Sequence, residues 1–193
     1  MNEQTHDVTA SKNIFGFWIY LMTDCVLFGT LFATFVVLRN GAHSGPTSQE
    51  LFNLPYVLLE TMVLLASSFV CGLSLLAVRN KQINKAALGF VVTLILGSIF
   101  LGLEINEFSH LVAEGYGWQV NGFLSAYFTL VGTHGLHILF GLIWLLVLVI
   151  KIAKNGISTQ NQHQLIMLGI FWHFLDIIWI FIFTIVYMLG VGA

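Results

Sequence analysis

The chain has 193 residues, of which 58% are hydrophobic and only 8% are charged. A soluble domain usually carries about 25% charged residues, so this composition excludes an ordinary soluble domain and indicates a membrane protein. The small net charge and the lack of any basic cluster argue against a nucleic-acid partner. We therefore expect an all-α polytopic membrane protein in which residues 1–193 form a single domain.

Long apolar segments predict five transmembrane helices, because about 20 apolar residues cross the core of a bilayer. A polar N-terminal tail, residues 1–13, precedes the first segment. Turn residues at 40–46 predict a loop after span one, the basic hinge at 79–85 predicts a hairpin of spans two and three, and a polar loop is expected from Gly156 to His163. The predicted spans cover residues of about 15–38, 55–78, 86–107, 124–150 and 165–189.

The basic residues predict the orientation of these spans. All but one of the seven lysines and arginines fall on the side of the N-terminus, and Arg39 is the exception. Cytoplasmic loops carry an excess of Lys and Arg, so we expect a cytoplasmic N-terminus and a periplasmic C-terminus.

Eight ionisable residues lie inside the predicted spans. Placing a charged side chain at the bilayer centre costs about 2.5 kcal/mol or more, so these side chains should face protein or water and not lipid. They are the candidate site residues of the chain. The set is Asp24, Glu60, Glu104, Glu107, His134, His137, His173 and Asp176.

Helical spacing predicts which of these residues are neighbours. Residues three apart share one helix face, which pairs His173 with Asp176 and His134 with His137. Asp24 and His173 lie at a similar depth, roughly 12 to 14 Å from the cytoplasmic end of their spans, so a contact between them is expected. The three glutamates fall near the outer ends of spans two and three.

Three roles remain open for these residues: ligation of haem or copper by the histidines, a proton route, or a hydrogen-bonded network that fixes helix packing. The spacing favours the packing network, since histidines three apart also occur for packing and hydrogen bonding. Pairs of small residues four apart additionally predict close helix contacts. These pairs are Gly29 with Ala33, Ser68 with Gly72, and Ser98 with Gly102.

Four segments together carry a resemblance to a known family. The chain from about residue 14 to 190 resembles subunit III of the haem-copper respiratory oxidases, in particular the cytochrome o ubiquinol oxidase form. The segments are I-F-G-F-W-I-Y-L-M-T-D at 14–24, G-F-L-S-A at 122–126, T-H-G-L-H-I at 133–138 and F-W-H-F-L-D-I-I-W at 171–179.

The resemblance implies a function that spacing alone does not. Such a subunit holds no haem or copper and is itself non-catalytic; it packs beside catalytic subunit I, binds phospholipid and supports assembly and proton pumping. The haems, copper and ubiquinone belong to partner subunits, with subunits II and IV completing the complex in the bacterial inner membrane. The implied reaction is oxidation of ubiquinol, reduction of O2 to water and translocation of protons.

The resemblance also extends to individual residues. Asp24 falls where much of the family has a buried, carbodiimide-reactive glutamate, and Glu107 matches a family acid at the end of its span. His134, His137, His173 and Asp176 match the two shared motifs at 133–138 and 171–179. Two functions of other classes are weighed beside it: a haem b membrane anchor cytochrome that handles quinone, and a small proton-coupled transporter.

Overall fold

A computed structural model describes residues 2–39, 54–156 and 159–189. In these ranges the chain is helical, without strands, and each of five helices contains a segment long and apolar enough to cross a membrane. The all-α fold and the five predicted spans are confirmed, whereas the predicted loop at 40–46 lies outside the described residues. The helices are α1 (Asn2–Leu38), α2 (Leu54–Arg79), α3 (Ile83–Ala113), α4 (Gly122–Asn155) and α5 (Thr159–Ile182), and α5 continues as a π-helical segment, Phe183–Met188.

Short, capped connections make α2 antiparallel to α3 and α3 antiparallel to α4. Between α2 and α3, Lys81 adopts a φ of 57° and its N–H donates to the carbonyl of Val78 at 3.0 Å. This left-handed residue closes α2 in the way usual for helix C-termini, so the predicted hairpin is confirmed. At the start of α4, the side chain of Asn121 accepts a hydrogen bond from the N–H of Leu124 at 2.7 Å.

The junction between α4 and α5 differs in part from the prediction. Helix α4 ends at Asn155, and Gly156 follows with a φ of 69°, a conformation that glycine adopts without a steric penalty. However, α5 begins at Thr159, so the expectation of a loop up to His163 is wrong. The polar start of α5 lies before its span, which begins at Asn161, and helices of membrane proteins are not limited to their apolar part.

Four of the helices form a closed bundle and the fifth lies against its outside. Helix α2 packs against α3 and α5, and α4 packs against α3 and α5, so each member of the bundle has two neighbours. Helix α1 packs mainly on α4 and only slightly on α5. A polar side chain of α1 that turns away from lipid therefore faces α4 first.

Two tryptophans of α5 fill the centre of the bundle. Trp172 is 1% exposed, and a Cβ added to Gly97 of α3 would lie 2.8 Å from its ring, so the indole lies directly against this glycine. The indole N–H of Trp172 donates to the hydroxyl of Ser67, which donates in turn to the carbonyl of Thr93. The side chain of Ser67 thereby links α5, α2 and α3. Its buried hydroxyl has a hydrogen-bond donor and an acceptor, as buried polar groups usually do.

Only one of the three predicted small-residue pairs lies at a contact within this chain. A Cβ on Gly72 would meet the ring of His173 at 3.7 Å, which confirms a close approach of α2 and α5. Nothing lies within 4 Å of a Cβ placed at Gly29 or Gly102, and both face outward. Those two pairs form no helix contact within the described chain, because spacing identifies a face of a helix but not which neighbour covers it.

Candidate functional site: two buried polar clusters

The first cluster is a carboxylate and imidazole pair between α1 and α4. Asp24, 6% exposed, places its Oδ1 atom 3.5 Å from Nε2 of His137. The other ring nitrogen, Nδ1, lies 2.8 Å from the carbonyl of Thr133, and because a carbonyl only accepts, Nδ1 must carry a hydrogen. The Asp24 carboxyl therefore faces the second ring nitrogen of His137.

The predicted contact between Asp24 and His173 is wrong. His173 lies on the opposite side of the bundle, where its Nδ1 atom is 2.7 Å from the hydroxyl of Ser68 on α2. Asp176 interacts with the same hydroxyl and with His173, which confirms that these two residues of the 171–179 motif are neighbours. Equal depth in the membrane was not enough to bring Asp24 and His173 together, because α1 packs on α4 and His173 faces α2.

The second cluster gathers the three glutamates on the side of the loop that joins α3 to α4. We define the outer acid cluster as Glu60, Glu104, Glu107, Tyr127 and Tyr187. The three carboxyl groups are close enough to interact electrostatically with one another, although they come from two helices. Glu60 is 0% exposed and Glu104 is 2% exposed, and among the described residues no hydrogen-bond partner faces either oxygen of either carboxyl.

Hydrogen bonds through the two tyrosines connect Glu107 of α3 to α4 and to the π-helical segment. The hydroxyl of Tyr187 donates to Oε2 of Glu107 at 3.1 Å, and it lies 2.9 Å from the hydroxyl of Tyr127. Tyr187 belongs to the π-helical segment, where the backbone N–H of Leu189 bonds to the carbonyl of Thr184 five residues earlier. This wider turn sets the direction of Tyr187, and π-helical turns often occur at functional positions.

His134 lies between the two clusters and is enclosed by aromatic rings. Its ring centre is 5.2 Å from that of Trp179, with the planes tilted by 30°, and 6.1 Å from that of Phe100. The side chain is 0% exposed, and neither ring nitrogen has a hydrogen-bond partner. The indole N–H of Trp179 donates a hydrogen bond to the hydroxyl of Thr61 at 3.0 Å. His134 therefore separates the clusters and does not join them by hydrogen bonds.

The three candidate ligand histidines do not converge on one point. His137 is engaged by Asp24 and Thr133, His173 by Ser68, and His134 by aromatic rings. Within residues 2–39, 54–156 and 159–189, no group of three or more His, Cys, Asp or Glu side chains is arranged to hold a metal ion.

Comparison with known proteins decides the family of the chain. The family model for cytochrome c oxidase subunit III matches residues 2–191. The chain is 49% identical to cytochrome bo(3) ubiquinol oxidase subunit 3 of Pseudomonas aeruginosa over 98% of its length and 90% of that protein. It belongs to the cytochrome c oxidase subunit III family. The predicted resemblance to haem-copper oxidase subunit III is thereby confirmed.

Relatives that are named for other electron donors are nearly as similar to this chain. The chain is 43% identical to quinol oxidase subunit 3 of Bacillus subtilis, over 96% of this chain and 91% of that protein. It is 42% identical to cytochrome c oxidase subunit 3 of a Bacillus species, over 97% of this chain and 91% of that protein. The fold and the role as a subunit III are common to these proteins, whereas the electron donor differs in their names.

Several residues that complete the buried polar clusters of this subunit III were not identified from the sequence. Each is an uncharged side chain in an apolar segment, and such residues are common in membrane helices. The only sequence signal is the spacing of Thr61 and Ser68, seven residues apart on one face of α2. The missed residues are Thr61, Ser67, Ser68, Tyr127, Trp179 and Tyr187.

Proposed function

We propose that this subunit III belongs to a bacterial quinol oxidase and carries no redox centre of its own. The complex would oxidise ubiquinol, reduce O2 to water and move protons outward across the inner membrane. The proposal of a quinol donor is supported by the names of the relatives from Pseudomonas aeruginosa and Pseudomonas putida, which are 49% and 46% identical and are both called ubiquinol oxidase subunits.

The assignment of redox chemistry to other subunits rests on the histidines. The observation that carries it is that the three imidazoles face different parts of the bundle: His137 faces Asp24, His173 faces Ser68, and His134 is enclosed by aromatic rings. An axial ligand to a haem must face a space that holds the porphyrin ring, whereas the 0% exposed ring of His134 lies directly against Trp179 and Phe100. The haems, the copper and the quinone site are accordingly proposed for the partner subunits, with subunit I as the catalytic one and subunits II and IV as further partners.

The role proposed for this chain is to support assembly and stability of the complex and to hold phospholipid. Helix α1 supports this role because much of its surface is not covered by the bundle. An open, apolar groove on α1 is bordered by Phe15, Trp18, Met22 and Val26 among others, and these large side chains are exposed. A surface of this kind suits acyl chains or an apolar helix of subunit I.

The proposed orientation places the α2–α3 hinge in the cytoplasm and the α3–α4 loop in the periplasm, as the distribution of lysine and arginine favours. Single cysteines at Asn84 and Glu114, in a chain with Cys25 and Cys71 replaced by serine, test it with a membrane-impermeant thiol reagent. In intact spheroplasts we expect labelling at position 114 and none at position 84. The reverse result would contradict the proposed orientation.

Purification in mild detergent tests the proposed function. We expect the chain to co-purify with a larger haem-containing subunit, and deletion of the chain to lower the assembly or the turnover lifetime of an oxidase that accepts ubiquinol. Activity with cytochrome c and not with quinol would contradict the proposed donor. Haem absorbance in the isolated chain would favour a cytochrome b anchor, and uptake by the isolated chain in liposomes would favour a transporter.

A further inference from the structure

We propose that the outer acid cluster is a buried proton-binding site, in which Glu60 and Glu104 hold protons permanently and Glu107 exchanges one with the outer side of the membrane. This site is separate from the Asp24–His137 pair. It does not depend on the identity of the electron donor, because it follows from the arrangement of side chains within this chain.

Glu60 and Glu104 keep their protons because both carboxyl groups are buried without hydrogen-bond partners in the described chain. Glu60 and Glu104 are 0% and 2% exposed, and all four of their carboxyl oxygens lack a hydrogen-bond partner. An ionised carboxylate in apolar surroundings is costly unless donors or a cation face it. A carboxyl group in such a position avoids this cost by keeping its proton.

The polar side chains that border the cluster are uncharged. Helix α2 contributes Tyr56 and Thr61, α4 contributes Tyr127, and the π-helical segment contributes Tyr187. Arg39 lies near this segment but donates to the carbonyl of Leu189 at 3.2 Å, and no lysine or arginine of the described chain forms an ion pair with the cluster. With three acids in mutual electrostatic range, ionisation of one makes ionisation of the next less favourable.

Glu107 differs from the other two acids in both hydrogen bonding and exposure. Its Oε2 atom accepts a hydrogen bond from Tyr187, which stabilises a carboxylate, and its side chain is only partly buried. It also lies about one helical turn nearer the outer end of α3 than Glu104. Glu107 is therefore the member of the cluster that carries a negative charge and can exchange its proton.

The size and chemistry of the site select a proton as its ligand. The side-chain arrangement does not suit a metal ion in the part of the chain that the structure describes. The two unpartnered carboxyls are fully enclosed, so they leave no route for a larger polar ligand. A proton needs only the carboxyl oxygens, which are already present.

Infrared spectroscopy of the purified complex tests the proposal. A protonated carboxylic acid has a carbonyl band that is distinct from carboxylate bands and that shifts in D2O. We expect Glu60→Gln and Glu104→Gln each to remove one such band at neutral pH. The matched control is Glu114→Gln, which changes an exposed glutamate of the α3–α4 loop and should remove none.

The response of the complex to acid tests the exchange at Glu107. Lowering the pH should add a carboxylic acid band in the wild type, and this added band should be missing in Glu107→Gln. An unchanged set of acid bands in Glu60→Gln and Glu104→Gln would overturn the proposal, as would an added band that persists in Glu107→Gln.

The melting temperature of the complex is a second measurement, which also detects whether Glu60→Gln or Glu104→Gln impairs folding. Replacing a neutral acid with a neutral amide of the same size should be tolerated, so Glu60→Gln and Glu104→Gln should melt close to the Glu114→Gln control. If these groups were ionised, removal of a like charge would raise the melting temperature of both variants. Such a rise, or failure of both variants to assemble, would overturn the proposal.

Discussion

The Asp24–His137 pair and the outer acid cluster are two different ways of keeping carboxyl groups inside an apolar bundle. In the first, an acid faces a base at 3.5 Å. In the second, acids face acids and tyrosines, and no described base is in contact with them. The acid has a basic partner in one region, whereas in the other we propose that bound protons remove the charge.

The difference predicts how each region responds to the loss of a side chain. Removing one member of an acid and base pair leaves the other buried without a partner, which is strongly destabilising. Removing a protonated acid leaves no opposite charge behind. Four sets of variants test this contrast and the packing on which it depends.

Asp24→Ala should give the largest loss, about 3 kcal/mol of unfolding free energy, because His137 is left without its partner. Asp24→Asn should cost clearly less, since the amide can donate to Nε2 of His137. Unfolding of the purified protein in detergent mixtures measures both. Val37→Ala, an exposed position on the same helix outside the apolar groove, is the control, and a similar cost for Asp24→Ala and Val37→Ala would contradict the pairing.

Gly97→Ala should cost about 2 kcal/mol, because the added Cβ would overlap the ring of Trp172 and a methyl group of Leu142. This contact holds the indole of Trp172 in the centre of the bundle, between Gly97 and Leu142. Gly102→Ala is the matched control on the same helix, since its Cβ would meet nothing within 4 Å. Equal melting temperatures for the two variants would show that the indole of Trp172 does not pack closely on Gly97.

Tyr187→Phe should cost about 1.5 kcal/mol, since it removes a hydrogen bond to a charged group. The cost should shrink when Glu107→Gln is also present, because an amide oxygen is a weaker acceptor than a carboxylate. A double-mutant cycle on unfolding free energies measures this coupling. Strictly additive effects would argue against a charged Glu107.

Trp179→Phe and Thr61→Val should show the smallest coupling, about 0.6 kcal/mol, as is usual for hydrogen bonds between membrane helices. Trp179 and Thr61 border the aromatic region around His134 that separates the two clusters. The cycle isolates the hydrogen bond from the loss of ring volume in Trp179→Phe. A coupling near zero would indicate that the indole N–H is not bonded to Thr61.

The sequence predicts the helices well because their signal is local. Apolar length defines the five spans, and a spacing of three residues correctly made Asp176 a neighbour of His173. The meeting of Glu60 with Glu104 and Glu107 also follows from the α2–α3 hairpin, which brings the outer ends of two adjacent helices together.

The partners of the histidines could not be predicted, because they depend on how each helix is rotated and on which helices touch. Asp24 meets His137 and not His173, since α1 lies outside the bundle against α4. The direction of Tyr187 depends on a π-helical turn, for which the sequence offers no marker. The aromatic surroundings of His134 combine residues of three other helices, which no local pattern connects.

The most direct test of the account is the haem and copper content of the purified oxidase with and without this chain. If the chain carries no redox centre, removing it should leave the haem and copper content per subunit I unchanged while the turnover lifetime falls. Loss of one haem or copper together with the chain, restored by the wild type and not by a His134→Ala or His173→Ala variant, would contradict the account.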